Sequence, residues 1–471
     1  MRQIINNVVV LALVVLSLQS CVKDDQVFET RDINEVTITA AQTSYTIEQF
    51  SELQIEPSIS ESMSQDNYSY EWKVIGGKEN ISKVLALEKN LQATIDLLPD
   101  RYFIQYTVTN TDTGLKGFRK DTLNVVGAFY EGWLVAHNKS GEASLGFVRT
   151  DGEVFVNPAA EANAKSYPGT AVATYFSPNP YNFVLFFTTE GAFRFNPADL
   201  LAIGETTEVM GREMNFTRPA YGLGAYASFG GMDQYIVDKS GLYAGMGAAF
   251  YPDLVLTPVS DRFAGDYELF PYVFDNGLNA YFYDNKHKRF IQVAYIERAY
   301  SLTPGSGTAL FNLNNIGKTA IAADRGLSAS RRHFIMEDPS GRYLYTLNGI
   351  TPYLMQSIDY DACPDFATAT VFRPSQVYDH IYYASDNKLY LYNIPANTAQ
   401  LIYSFPSGHQ VKTMQWSATT PVRGLAIGVD DGTAGSVYFF EVNEFGKFPN
   451  DTFSEKHDGF GSIVHLAYRR R

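Results

Sequence analysis

The sequence predicts an all-β protein in two parts, a small β-sandwich followed by a seven-bladed β-propeller. Three observations carry this. Aromatic residues make up 14% of the 471, with Gly 36 and Pro 20 spread along the chain, a composition that favours many short strands joined by turns. Residues 33–127 alternate apolar and polar positions with the period of half-buried strands. From residue 128 onward a strand, a polar turn and a second strand recur at intervals of about 45 to 55 residues, the length of one propeller blade.

The remaining composition excludes other classes. With 45% hydrophobic and 19% charged residues the chain is neither disordered, collagen-like nor coiled coil. A formal net charge of -14 repels phosphate backbones, so nucleic acid is not expected as a partner.

The first residues read as an address. Arg2 precedes an apolar run over residues 8–18. As a helix that run spans roughly 16 Å, about half of a ~30 Å hydrocarbon core, so it is a signal segment rather than a membrane span. Leu18-Gln19-Ser20-Cys21 follows it and resembles the lipobox of bacterial lipoproteins. That resemblance implies cleavage after residue 20, lipidation of Cys21 and a lipidated tether over 21–32. Several acyl chains on one cysteine, at about 0.8 kcal/mol per buried methylene, hold a protein on a membrane persistently. Lys23, Asp24 and Asp25 resemble the export signal that sends lipoproteins of certain Gram-negative bacteria to the outer face of the outer membrane. Only Cys363 remains besides Cys21, so no intrachain disulfide is expected once Cys21 carries lipid.

Within residues 33–127 the strand-like runs are Val36-Thr37-Ile38-Thr39, Leu53-Gln54-Ile55, 68–74, Ala93-Thr94-Ile95, 102–108 and 121–125, the number and texture of a small sandwich. Tyr70-Glu71-Trp72 in an early strand, then 102–110 with Gly114 beyond, resembles the immunoglobulin-like module of the polycystic-kidney-disease (PKD) type, although the Gly/Asp-rich first turn of that module is degenerate here. Trp72 is read as core.

Seven hairpins follow, at 133–149, 183–195, 234–243, 280–293, 333–347, 381–392 and 424–442. Their turns carry Gly, Asn or Asp, as in Ser140-Gly141 and Asp431-Gly432, because tight hairpins need positive φ. Residues 129–471 divided among seven units give about 49 each. The first unit starts directly at Trp133, one strand short, and residues 463–468 are expected to complete it as its inner strand, removing an open edge.

The search for chemistry assigns no catalytic residue, no metal ligand and no cofactor. There is no His-Glu-x-x-His, no phosphate-cradling Gly-rich loop, no Gly-x-Ser-x-Gly elbow and no sialidase-type Asp-box turn. Cys363 lacks a neighbouring base and reads as a small buried or loop thiol. Connections between successive hairpins gather at one mouth of a propeller and here carry aromatic residues suited to sugar or peptide ligands. The candidate binding residues are Tyr167, Phe216, Arg218, Phe263 and Tyr300 in those connections, Asp361 and Asp365 flanking Cys363-Pro364, and Trp416 on an inner strand.

Taken together, lipid anchor, PKD-like module and propeller resemble the PKD-like-family surface lipoproteins of starch-utilisation-type uptake loci. The resemblance implies a non-enzymatic accessory protein that is held on the outer membrane and captures a glycan or peptide. Two alternatives stay open: a propeller hydrolase or lyase acting on polysaccharide, and a structural or adhesive partner of an outer-membrane transporter. Fold alone does not choose among them.

Overall fold

A computed structural model of the chain describes residues 34–63, 67–78, 80–178, 181–223, 233–239, 241–245, 255–259, 263–294, 300–303, 310–418 and 423–470. Cys21, Lys23, Asp24 and Asp25 lie outside the described residues. The chain divides into two compact units, Met1–Val125 and Val126–Arg471.

In the first unit, five strands form one antiparallel sheet in the order Ser44–Glu48, Lys116–Val126, Asp100–Asn110, Tyr68–Gly76, Ile81–Ala86. Val36–Thr39 pairs with Ser58–Glu61, and Glu52–Ile55 with Leu91–Thr94. Period two decides which residues are buried: Tyr102, Ile104, Tyr106 and Val108 all point into the core. There Trp72 stacks on Tyr106 with ring centroids 4.2 Å apart, and its indole N–H donates to the Lys89 carbonyl at 3.4 Å. Ser58–Glu61 and Ile81–Ala86 are absent from the sequence reading because they are largely exposed and do not alternate; ladder pairing, not burial, makes them strands.

The second unit contains, among the described residues, seven four-stranded antiparallel sheets. The middle two strands of each are the hairpins legible in the sequence, for example Phe183–Thr188 with Gly191–Phe195 and Gly424–Asp430 with Gly435–Glu441. Ser140 at φ 55° and Gly141 at φ 82° make the tight turn of the first hairpin. Phe and Tyr fill the wedges between neighbouring sheets. Leu134, Leu145 and Phe147 of the first sheet pack with Val184, Phe186, Phe193 and Phe195 of the second, which is where the high aromatic content is used.

In six sheets the four strands follow chain order, whereas the first has the order Val154–Phe155, Glu142–Arg149, Gly132–Lys139, Ser462–Arg469. Ser462–Arg469 thus takes the place that the earliest strand holds elsewhere, pairing Trp133 with Tyr468 and Val135 with Leu466. It also lies against Ala171–Ser177 and Gln410–Trp416, the first strands of the second and seventh sheets. A Cβ on Gly461 would sit 2.0 Å from the Asn138 carbonyl oxygen, so the chain enters this strand through a gap that fits only glycine.

Two buried side chains fasten the junction. The Gly461 N–H donates to His137 Nδ1 at 3.1 Å, which leaves the Nε2 proton for the Val156 carbonyl at 2.8 Å. Fully buried Asp430 accepts from the N–H groups of Gly432 and Ile463, each at 2.9 Å, and from Ser462 Oγ at 3.1 Å. Asp430→Ala strands the buried Ile463 donor and is expected to lower unfolding free energy by about 3 kcal/mol. Equilibrium urea unfolding measures it, and a loss below about 0.5 kcal/mol would show the tie to be dispensable.

Candidate functional site

Because the first strand of each propeller sheet is innermost, every sheet lends one short segment to the space on the axis. Those segments here enclose a cavity of about 530 Å³. Tyr175, Tyr221, Tyr272, Asp324, Arg373, Gln415 and His465 line it, one from each sheet or from the residues leading into it, and Arg218 and Lys412 join them.

The lining is polar, and its charge is opposite to that of the chain. Three cationic side chains, Arg218, Arg373 and Lys412, face one carboxylate, Asp324. Arg373 pairs with Asp324 and donates Nε–H to the Met414 carbonyl at 2.7 Å. Lys412 donates to Gln410 Oε1 at 2.9 Å and lies 3.7 Å from the Asp430 carboxylate. Arg218 is anchored by its backbone N–H, which donates to Asp238 Oδ1 at 2.9 Å, while its guanidinium stands 5.6 Å from the Phe270 ring centroid. Among the described residues no carboxylate pairs with that guanidinium.

Burial, reinforced by the Arg373 and Arg218 charges, pushes the His465 pKa down to about 4, so at neutral pH its imidazole is uncharged. Its ring is 4.8 Å from that of Tyr175, whose pKa burial pushes up to about 12. Burial likewise raises Tyr221 and Tyr272. The phenols are therefore neutral hydrogen-bonding groups. Tyr175 donates to the Pro219 carbonyl at 3.0 Å and Tyr221 shares a 2.6 Å bond with Ser177. Among the described residues no group of three His, Cys, Asp or Glu side chains is placed to hold a metal ion.

Of the residues singled out from the sequence, Arg218 lines the cavity. Tyr167 is packed among Phe186, Phe193 and Phe195 and donates to the Ala159 carbonyl at 3.3 Å. Phe216 is buried against Phe187, with centroids 5.0 Å apart. Trp416 is buried too, its indole N–H donating to the Pro374 carbonyl at 2.7 Å. The rings of all three fill wedges between sheets and do not face the cavity. Half-buried Phe263 lies under the Arg289 guanidinium at 4.7 Å. Tyr300 begins the strand Tyr300–Leu302, and its side chain lies outside the described set.

Asp361 and Asp365 are exposed and away from the cavity lining. Asp365 accepts from Tyr390 Oη at 2.5 Å and from Lys388 Nζ at 3.1 Å, and these bonds hold its carboxyl below the usual range. Cys363 is buried, which pushes its thiol pKa up to about 11, a resting side chain rather than a nucleophile.

The cavity residues the sequence reading missed share one trait: they recur at the roughly 50-residue interval of the hairpins. Aligning the segment upstream of each of the last six hairpins places polar Tyr175, Tyr221, Tyr272, Asp324, Arg373 and Gln415 in comparable positions, and His465 follows at the same interval in the closing strand; that alignment is the pattern which could have found them.

Fold and cavity together define a β-propeller protein with an amino-terminal β-sandwich domain. The sequence model of the PKD-like family matches residues 21–171, which covers that domain, continues through Gly132–Lys139, Glu142–Arg149 and Val154–Phe155 of the first propeller sheet and ends at the first residue of the second. No curated protein matches the chain. Among solved structures it is similar to a quinonprotein alcohol dehydrogenase-like protein from Bacteroides thetaiotaomicron, at 12% identity over 91% of this chain and 96% of that one, TM-score 0.48. It is also similar to a β-propeller domain from Myceliophteria thermophila, at 10% identity over 64% of this chain and 91% of that one, TM-score 0.41. A periplasmic gluconolactonase from Pseudomonas aeruginosa shares 11% identity over 72% of this chain and 98% of that one, TM-score 0.46. Likenesses this distant carry no ligand or reaction across.

Proposed function

We propose that this protein is a surface-exposed outer-membrane lipoprotein, anchored through Cys21, whose seven sheets are the blades of a seven-bladed β-propeller that captures a glycan or peptide without turning it over. The observation that carries the reading is the axial cavity: about 530 Å³ of polar space falls in the range of small-molecule sites. The lipobox-like Leu18-Gln19-Ser20-Cys21 and the Lys23-Asp24-Asp25 that follows support the placement. The PKD-like match supports a spacer domain of the kind found in surface lipoproteins of nutrient-uptake loci.

The test has two arms. Intact cells treated with an external protease should lose the protein, and Cys21→Ala should move it out of the membrane fraction. Detergent-purified full-length protein should retain members of a glycan or peptide panel without releasing products. Survival under protease sinks the surface placement, and product release sinks the non-enzymatic role.

A further inference from the structure

The cavity's polar groups are not balanced between donors and acceptors. Asp324, its carboxylate, is taken by Arg373. Gln415 Oε1 already accepts the Trp416 backbone N–H at 3.1 Å. Among the described residues, the cavity side-chain groups without a hydrogen-bond partner include three donors, the Arg218 guanidinium, the Tyr272 hydroxyl and the Gln415 amide nitrogen, against one ring acceptor, His465 Nε2, whose Nδ1–H is taken by the Thr174 carbonyl at 2.8 Å. An acceptor-rich ligand bearing negative charge would satisfy all three, because guanidinium presents a fixed fork of N–H groups matched to a carboxylate. Half-buried Tyr175, Tyr221 and Tyr272 add flat faces suited to the C–H face of a sugar ring.

We infer that the cavity recognises a carboxylate carried on a ligand of sugar size, with Arg218 as counter-ion and Tyr272 and Gln415 donating to its remaining oxygens. The inference rests on the cavity being the binding site proposed above, and it adds the ligand's chemical class. Two sources carry this chemistry, a uronic acid unit of a polysaccharide and a free sugar acid. The surrounding ring partly excludes solvent, which strengthens the Arg218–carboxylate attraction relative to bulk water. Burial lowers the Arg218 pKa, a penalty on its charge that an arriving anion offsets.

Isothermal titration of detergent-purified full-length protein with glucuronate, a galacturonate oligosaccharide, gluconate, glucose and a tripeptide tests it. Glucuronate should bind at least tenfold more tightly than glucose. Arg218→Gln, which leaves the backbone bond to Asp238 intact, should lose about tenfold or more, the loss expected for a charge-assisted bond. Its melting temperature should match the parent, which separates lost binding from lost fold. Tighter binding of the oligosaccharide assigns the polymer source, and gluconate binding as well as glucuronate assigns free sugar acids. Equal binding of glucose and glucuronate, tripeptide binding alone, or an unchanged Kd in Arg218→Gln overturns the inference while the capture role stands. Binding of nothing in this set or in the wider panels overturns both.

Discussion

Deleting residues 462–471 is expected to unfold the second unit as a whole, with loss of the parent melting transition. The segment buries Ile463, Leu466 and Ala467, and Tyr468 packs edge-on to Trp133 at 4.9 Å. Each large apolar side chain contributes about 1.5–3 kcal/mol on burial, and the ladder to Gly132–Lys139 goes with them. Against a usual total stability of about 5–15 kcal/mol the loss is prohibitive. It also uncovers Gly132–Lys139, whose residues 132–137 are all buried, as an apolar open edge. Calorimetry on parent and truncated protein measures this, and an unchanged transition would mean the first sheet does not need its innermost strand.

Acid is expected to weaken the fold between pH 6.5 and about 4, above the range where paired carboxylates titrate. Burial lowers the pKa of His137 and His333 from 6.5 to about 4. Within that window the unfolded chain holds protons that the folded chain does not, so stability rises with pH and is fully present only above 6.5. Each depressed histidine is worth about 3 kcal/mol at neutral pH, and lowering the pH from 7.5 to 4.5 should remove about 5 kcal/mol through the two together. His465 acts in the same direction. Asp151, Asp266, Asp338, Asp365 and Asp431 have lowered pKa values, so their contribution is present above the ordinary carboxylate value and fades below it. Urea unfolding across this range measures the slope. In His333→Gln, which keeps a polar group beside Thr346 Oγ1, the slope should fall by roughly half of the two-histidine effect. A stability flat from 7.5 to 4.5 would refute the assignment.

Hairpins were legible because two independent patterns coincide in them, alternation along the strands and Gly, Asn or Asp at the turn. Apart from Ser462–Arg469, read from its place after the seventh hairpin, the innermost strands lack this coincidence. Phe274–Asn276 has three residues, and Ala171–Ser177 mixes core and cavity positions, so neither shows a clean period. The candidate site was harder to read for a related reason. In a strand, adjacent side chains point to opposite faces, so a one-residue difference exchanges core for cavity. Trp416 faces the wedge while Gln415 faces the axis. Residue type drew attention to the aromatic Trp416, and only the ring of sheets reveals that its polar neighbour Gln415 lines the cavity. Burial of Trp72 needed no such information, because the sandwich core follows from its own alternation.

The hydrogen bond from Gly461 to His137 joins residues 324 apart in sequence. Residues 133–461 are therefore synthesised before the sheet that opens the ring can be finished. Entropy of closing so long a loop grows only logarithmically, but the search for a non-local pairing is slow. During that delay six complete sheets coexist with a three-stranded one whose inner edge is bare, a species prone to pair with a second chain. The step that most needs a chaperone's shelter is thus the final one, when Ser462–Arg469 slots into place.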